Sequence, residues 1–355
     1  MNGRQAPGRR REFGGLPAGR RFAIMATSAA ATLGLMLMLL ALVGVWLFQG
    51  PGPAARATDV ILPPGARTPQ IAAELEREGA IGSSSVFMLA AELTGAARRL
   101  KAGEYAFAPH ASMATVMRMI RRGEIVHHLI TIPEGFTSQA VIDTLDATSI
   151  LTGSAPIPPE GSVLPETYEV QRGQDRAAVL QRMMDSRDQL LAALWAQRRP
   201  DLPLSSPQQA VILASIVEKE TALPNERPRV AAVFLNRLQK GMKLEADPTV
   251  IYALTRGAAL GRPLRSGDLA TPSPYNTYAV AGLPPTPICN PGRASLAAVL
   301  DAPRTNELYF VANGTGGHTF AATLDDHQKN VAHWRSIEHL AVQPALVVAA
   351  RGSTR

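Results

Sequence analysis

Ser206-Pro207-Gln208-Gln209 opens the stretch Ala210-Val-Ile-Leu-Ala-Ser-Ile-Val217, which ends in Glu218-Lys219-Glu220-Thr221. Serine, proline and, three residues on, glutamine form the capping-box pattern of a helix start. Plotted at about 100° per residue, the apolar run that follows covers every face, and a helix of that kind belongs inside a folded body. Glu218 then stands at the end of a buried helix, beside the negative end of its dipole, and both effects disfavour ionisation. A carboxyl held protonated near neutral pH can serve as a general acid, as cleavage of a glycosidic bond requires. The alternative is an ordinary solvated helix end, with Lys219 between two glutamates. Glu218 and Glu220 point about 160° apart around the helix, so at most one shares a cleft with a given substrate.

Toward the C-terminus, Glu226-Arg227 leads into a helix in which Val230, Phe234 and Leu238 recur every four residues and Gly241 supplies the stop. Asp247-Pro248 has the form of an N-cap followed by proline, which favours a capping role for Asp247 over a catalytic one. Ser273-Pro-Tyr-Asn-Thr-Tyr278 and Gly282-Leu-Pro-Pro285 form a long loop of prolines, aromatics and amides. Flat rings and amide or hydroxyl groups are what a sugar cleft needs, and a rigid structural loop has the same composition. Leu308 to Ala312, Asn313 to Gly317 and His318 to Ala322 read as a β-hairpin with a glycine-rich turn. That turn lacks the Gly-Lys-Ser/Thr of a phosphate loop, and no G-x-S-x-G elbow occurs. The spacing of His318, His327 and His333 matches no helical zinc pair, and the lone Cys289 excludes an intrachain disulfide framework or a multi-cysteine zinc site. Neither a metal nor a cofactor is expected.

Toward the N-terminus, residues 153–173 are proline-rich and irregular in pattern, with Val163 to Val170 as an ordered stretch, and a helix follows from about Gln174 to Arg198. Two segments resemble each other at an offset of 70 residues: Val60-Ile-Leu-Pro-Pro-Gly65 with Ile71 and Leu75, and Ile130-Thr-Ile-Pro-Glu-Gly135 with Val141 and Leu145. Each alternates like a strand, turns at Pro-x-Gly and takes up helical spacing. Between them the pattern predicts a helix near Ser85 to Thr94, a strand over Gly103 to Phe107 and a helix over Ser112 to Arg121.

Phe22 to Phe48 holds 27 residues without a charge. At about 1.5 Å per residue such a helix reaches some 40 Å, enough to span a bilayer core of about 30 Å with tilt. A cleaved signal peptide is the alternative, weakly imitated at Ala55-Arg56-Ala57, but its apolar region would run only about 7 to 15 residues. The net charge of +7 is concentrated ahead of this segment: residues 1–21 carry six arginines against Glu12, leaving +2 for the other 334 residues. A nearly neutral body with 5% aromatics argues against nucleic-acid binding, and the arginines place the N-terminus in the cytoplasm. Gln49 to Thr58, with Gly50-Pro51-Gly52-Pro53, reads as a linker to an exported body.

Leu213-Ala-Ser-Ile-Val-Glu-Lys-Glu-Thr221, Glu226-Arg227, Val233-Phe-Leu-Asn236-Arg-Leu238, Gly241-Met242, Asp247-Pro-Thr-Val250, Ser273 to Tyr278, Gly282 to Pro285, Asn290-Pro-Gly292 and Tyr309 to Ala312 with His318 together resemble the endolytic murein transglycosylases, the YceG-like family. The match runs from about residue 59 to 338 and keeps order and spacing. It implies an α+β fold: a cytoplasmic tail (1–21), a transmembrane helix (22–48), a linker (49–58), a LysM-like module (59–128), a catalytic domain (129–340) and a C-terminal tail (341–355). It implies a single-pass enzyme of the bacterial inner membrane, with its body periplasmic or extracytoplasmic, acting near peptidoglycan synthases. Its substrate is implied to be nascent glycan strands, cut between N-acetylmuramic acid and N-acetylglucosamine. Glu218 is implied to be the catalytic residue, giving a proton to the leaving oxygen and then taking one from the C6 hydroxyl to leave a 1,6-anhydro end. Glu220, Glu226, Asn236, Asp247, Tyr275, Asn276, Thr277, Tyr278 and His318 are the supporting or substrate-binding candidates. Glu166, Glu245 and Thr286 depart from the family's usual Asp, Gln and Gly. Hydrolytic glycosidases generally add a second carboxylate, for which Glu220, Glu226 and Asp247 remain open, Glu226 first. A hydrolytic muramidase and a non-enzymatic peptidoglycan-binding scaffold are the other readings.

Overall fold

The computed structural model describes residues 18–351, so the expected tail lies largely outside the described residues. The chain divides between Val126 and His127 into two compact units.

The first unit holds α1 (Ala18–Gln49), β1 (Thr58–Leu62), α2 (Thr68–Arg77), α3 (Ser84–Leu93), β2 (Gly103–Phe107) and α4 (Met113–Arg122). Within α1, Met25–Gln49 is long and apolar enough to cross a membrane. β1 and β2 pair antiparallel, with Val60 opposite Tyr105. Their inward side chains meet Ile71 and Leu75 of α2, Phe87 of α3 and Val116 and Ile120 of α4 in one core. The segment read as a linker is held by backbone hydrogen bonds: Gly52 N–H donates to the His110 carbonyl (3.1 Å), and His110 N–H donates to that of Ala54 (2.7 Å). A side chain at Gly52 would collide with the Ala111 carbonyl, which explains the glycine there.

The second unit begins with β3 (His128–Thr131), α5 (Ser138–Ala147), β4 (Thr167–Val170) and α6 (Arg176–Ala196). β3 and β4 pair antiparallel over a core of Ile130, Val141, Leu145, Val170 and Met183. The two similar segments of sequence both fold as strand, turn and helix, with Gly65 and Gly135 at φ of +80° and +77°. Only glycine adopts such values without strain.

Then come α7 (Pro207–Glu220), α8 (Arg227–Gln239), α9 (Asp247–Thr255), α10 (Ser266–Leu269), α11 (Arg293–Leu300), the hairpin β5 (Tyr309–Ala312) and β6 (His318–Ala321), and α12 (Leu324–Arg351). The fold is mixed α+β, its strands paired two by two in separate antiparallel sheets. α7 lies at the centre of the larger core: every residue from Ala210 to Val217 is buried. The Ser206 hydroxyl caps its start by accepting the Gln209 N–H, while the Gln209 side chain closes onto Ser205 N–H. The one polar group inside, Ser215, is satisfied on both sides, donating to the Ile212 carbonyl (2.7 Å) and accepting Ile288 N–H (3.0 Å). α12 continues through much of the segment read as a C-terminal tail.

Candidate functional site

The end of α7 carries two carboxylates into different surroundings, as a two-residue step around a helix requires. Glu218, whose side chain is 4% exposed, accepts from Arg227 Nη2 (3.2 Å) and from Gly292 N–H (2.8 Å). Arg227 also reaches Glu134 (3.2 Å), so the guanidinium ties α7 to the turn after β3 and to the start of α8. A Cβ at Gly292 would meet the Glu134 side chain, so the two approach closely here. Both Glu218 oxygens thus face donors, one of them a cation.

Desolvation is the leading influence on Glu220. It lines a cavity of about 350 Å³ together with Arg237, Leu244, Glu245, Asp247, Tyr278, Phe310, Val311 and His327. Burial, then the negative charge of Asp247, push the Glu220 carboxyl up to about 8 against the opposing pull of Arg237. No hydrogen bond or ion pair holds the Glu220 side chain among the described residues.

Asp247 is not the cap it was expected to be. Ala246 occupies the N-cap, its N–H held by Thr277 Oγ1 (3.0 Å), and Asp247 is the first helical residue. Its carboxylate accepts the Tyr278 hydroxyl (2.6 Å) at the mouth of the cavity. Burial, reinforced by Asp247, raises the Tyr278 phenol, so it remains a donor.

Of the loop residues expected to line a cleft, Tyr278 alone reaches this cavity. Asn276 is buried, with Nδ2 donating to the Leu269 and Thr271 carbonyls and Oδ1 accepting Tyr278 N–H. Thr277 is buried beside Thr249 (2.8 Å). Tyr275 packs on Tyr252, beneath Arg256, and its hydroxyl meets Thr286 (2.8 Å). These three hold the loop's shape. Asn236 likewise braces the chain, donating to the Thr305 and Glu307 carbonyls (2.9 Å each).

Glu226 is also committed elsewhere. It accepts from His318 N–H (2.8 Å) and Nδ1 (2.7 Å), fastening α8 to β6. Burial pushes its carboxyl up, but the two His318 hydrogen bonds outweigh it and hold the group below the ordinary range. A further buried carboxyl, Glu160, is raised by desolvation yet accepts Ser138 N–H at the start of α5. Among the described residues no group of His, Cys, Asp and Glu is arranged to hold a metal ion.

Arg237 and His327 were not singled out as cavity residues by sequence. Arg237 is buried and gives hydrogen bonds to the Leu308, Lys243 and Leu244 carbonyls and to Glu245. The four-residue spacing of α8 accounts for its apolar neighbours, but nothing local marks an arginine that turns inward. His327 stacks on Tyr309, and burial followed by Arg237 lowers its pKa, keeping it neutral.

Relatives of the chain are consistent in name. It is 43% identical to an endolytic murein transglycosylase of Bacillus subtilis (strain 168), over 35% of this chain and 34% of that one. It is 26% identical to an endolytic murein transglycosylase of Streptococcus pneumoniae, over 76% of this chain and 57% of that one. The chain therefore spans about a third of one curated relative and just over half of the other. A solved YceG-like protein of Listeria monocytogenes aligns with a TM-score of 0.47 and 28% identity, covering 78% of this chain and 99% of that one. The model of the YceG-like family matches residues 60–333, most of the length, and the chain belongs to that family.

Proposed function

We propose that the protein is a lytic transglycosylase of peptidoglycan, and that Glu220, not Glu218, is its acid and base. The observation that carries this assignment is a desolvated carboxyl, raised to about 8 and without a hydrogen bond or ion pair among the described residues, opening on a cavity that Asp247 also lines. Protonated Glu220 donates to the glycosidic oxygen between N-acetylmuramic acid and N-acetylglucosamine as the C1–O bond breaks. The C6 hydroxyl oxygen of the muramoyl sugar then bonds to C1, and its proton returns to the Glu220 carboxylate. The products are a free 4-hydroxyl on one strand and a 1,6-anhydro end on the other, with no water consumed. Tyr278 keeps Asp247 in place, and burial, reinforced by the charge of Asp247, keeps Glu220 protonated. Family membership and the names of the relatives support the substrate class.

The same geometry favours a second outcome, a hydrolytic muramidase in which Asp247 activates water, because glycosidases that hydrolyse generally use two carboxylates. Digesting peptidoglycan with the purified protein and weighing the products separates the two. Anhydromuramoyl ends support the lytic reaction, reducing muramoyl ends replace it with hydrolysis, and intact strands with retained binding would leave a scaffold.

In this reading α1 anchors the chain in the bacterial inner membrane with the N-terminus inside. Residues 59–128 form a LysM-like glycan-binding module, for which the strand–helix–helix–strand order of β1 to β2 is the support, and residues 129–340 form the catalytic domain. Work close to peptidoglycan synthases fits a substrate of nascent strands.

A further inference from the structure

We infer that α3 is a membrane-surface helix, its outer face resting on an acidic lipid bilayer beside the point where α1 leaves it. The inference rests on the reading of α1 as an anchor.

Outside α1, the exposed large apolar side chains among the described residues of the first unit are Ile61, Leu89 and Leu93, and two of the three lie on α3. Leu89 is 58% and Leu93 79% exposed. Four residues apart, they lie on one face, one turn of about 5.4 Å from each other. Single exposed leucines are ordinary on soluble surfaces, so position decides the matter. α3 starts at the end of α1: Trp46 and Leu47 share a cavity of about 210 Å³ with Ile81, Gly82 and Ser83, the residues that lead into and cap α3. Phe48 packs against the core that contains Phe87 of α3. With residues 52–54 pinned to His110, no free tether separates the unit from α1.

α3 therefore starts beside the last turn of α1. Trp46, 67% exposed on the last turn of α1, is the kind of residue that marks the level of the headgroups. Arg98, Arg99 and Lys101 follow α3, all exposed, against one exposed acid on the helix, Glu92. Apolar side chains flanked by cations match a bilayer rich in acidic headgroups better than they match neutral sugar.

The test uses the full chain in bilayers of phosphatidylglycerol carrying a nitroxide near the headgroup. Single cysteines for a fluorescent probe are introduced as Leu93→Cys, Glu76→Cys on exposed α2 and Leu40→Cys within α1, the native Cys289 being buried. The probe at 93 is expected to be quenched roughly twofold or more beyond the probe at 76. Exchange of phosphatidylglycerol for phosphatidylcholine is expected to at least halve that excess. Quenching at 40 with equal quenching at 93 and 76 overturns the surface contact and leaves the anchor standing. An unquenched probe at 40 overturns both. A lipid-independent excess at 93 overturns the part assigned to Arg98 and Arg99.

Discussion

Tyr278 donates its hydroxyl proton to Asp247 at 2.6 Å, and the carboxylate so held lines the same cavity as Glu220. One negative charge, fixed by a phenol, thus helps to keep a second carboxyl neutral. In the proposed reaction the two acids differ: Asp247 is held by a phenol, whereas Glu220 is desolvated and its carboxyl is raised.

Glu220→Gln retains shape and removes the titrating group, so turnover on peptidoglycan should fall by about 10²- to 10⁴-fold with folding intact. Glu218→Gln should act differently. It weakens a buried ion pair and leaves Arg227 under-satisfied, so thermal or urea unfolding should show a loss of about 3 kcal/mol. Loss of all turnover in a folded Glu218→Gln protein, with Glu220→Gln fully active, would reverse the assignment.

The acid must carry its proton, so activity should be present below about pH 8 and decline above it. Asp247→Asn removes a charge that raises Glu220, and the alkaline limb of the rate profile should move down by about one pH unit. High salt should shrink that displacement, because Asp247 is exposed and its field is screened. An alkaline limb that stays in place in Asp247→Asn would remove Asp247 from this role.

Stability should carry the same signature with a definite sign. Folding raises the Glu220 carboxyl from 4.5 to about 8, so the native state binds the proton more tightly. Its cost is absent below pH 4.5, grows as pH rises toward 8 and is constant beyond. Melting curves of Glu220→Gln should accordingly gain on the wild type as pH is raised from 5 to 9.

Glu226 has the opposite sign. Its folded value is held down by His318, so its contribution is present above the ordinary carboxylate range and disappears as pH falls through the folded value. Glu226→Gln should cost about 1 to 2 kcal/mol near neutrality, and the two unfolding curves should converge in acid.

Ser215→Ala tests the core beneath the site. It strips Ile288 N–H of its acceptor inside a dry core, and should destabilise the fold by about 1 to 3 kcal/mol in a denaturant titration.

Local chemistry explains what could be read from the chain beforehand. The capped start of α7, its all-round apolar run, the two Pro-x-Gly turns and the hairpin around Gly314 and Gly316 depend on neighbours within a few residues. The divergence of Glu218 and Glu220 follows from helical periodicity alone. The identity of their partners does not: Gly292 lies 74 residues beyond Glu218, and Asp247, which opens α9, lines the same cavity as Glu220. Asp-Pro has the same local pattern whether aspartate caps or opens a helix. Asn276 and Thr277 show the same ambiguity, since amides and hydroxyls that would grip a sugar are equally suited to brace a loop.

The clamp on Glu218 has a consequence for precision. A reactive group is only as well aimed as the backbone that carries it, and for the proposed acid Glu220 the backbone is indexed two residues upstream, by a guanidinium and a glycine amide drawn from distant parts of the chain. The helix end thereby carries its own reference frame. Loosening Glu218 should blur the aim of the acid without altering its chemistry, a lower kcat at an unchanged pH optimum.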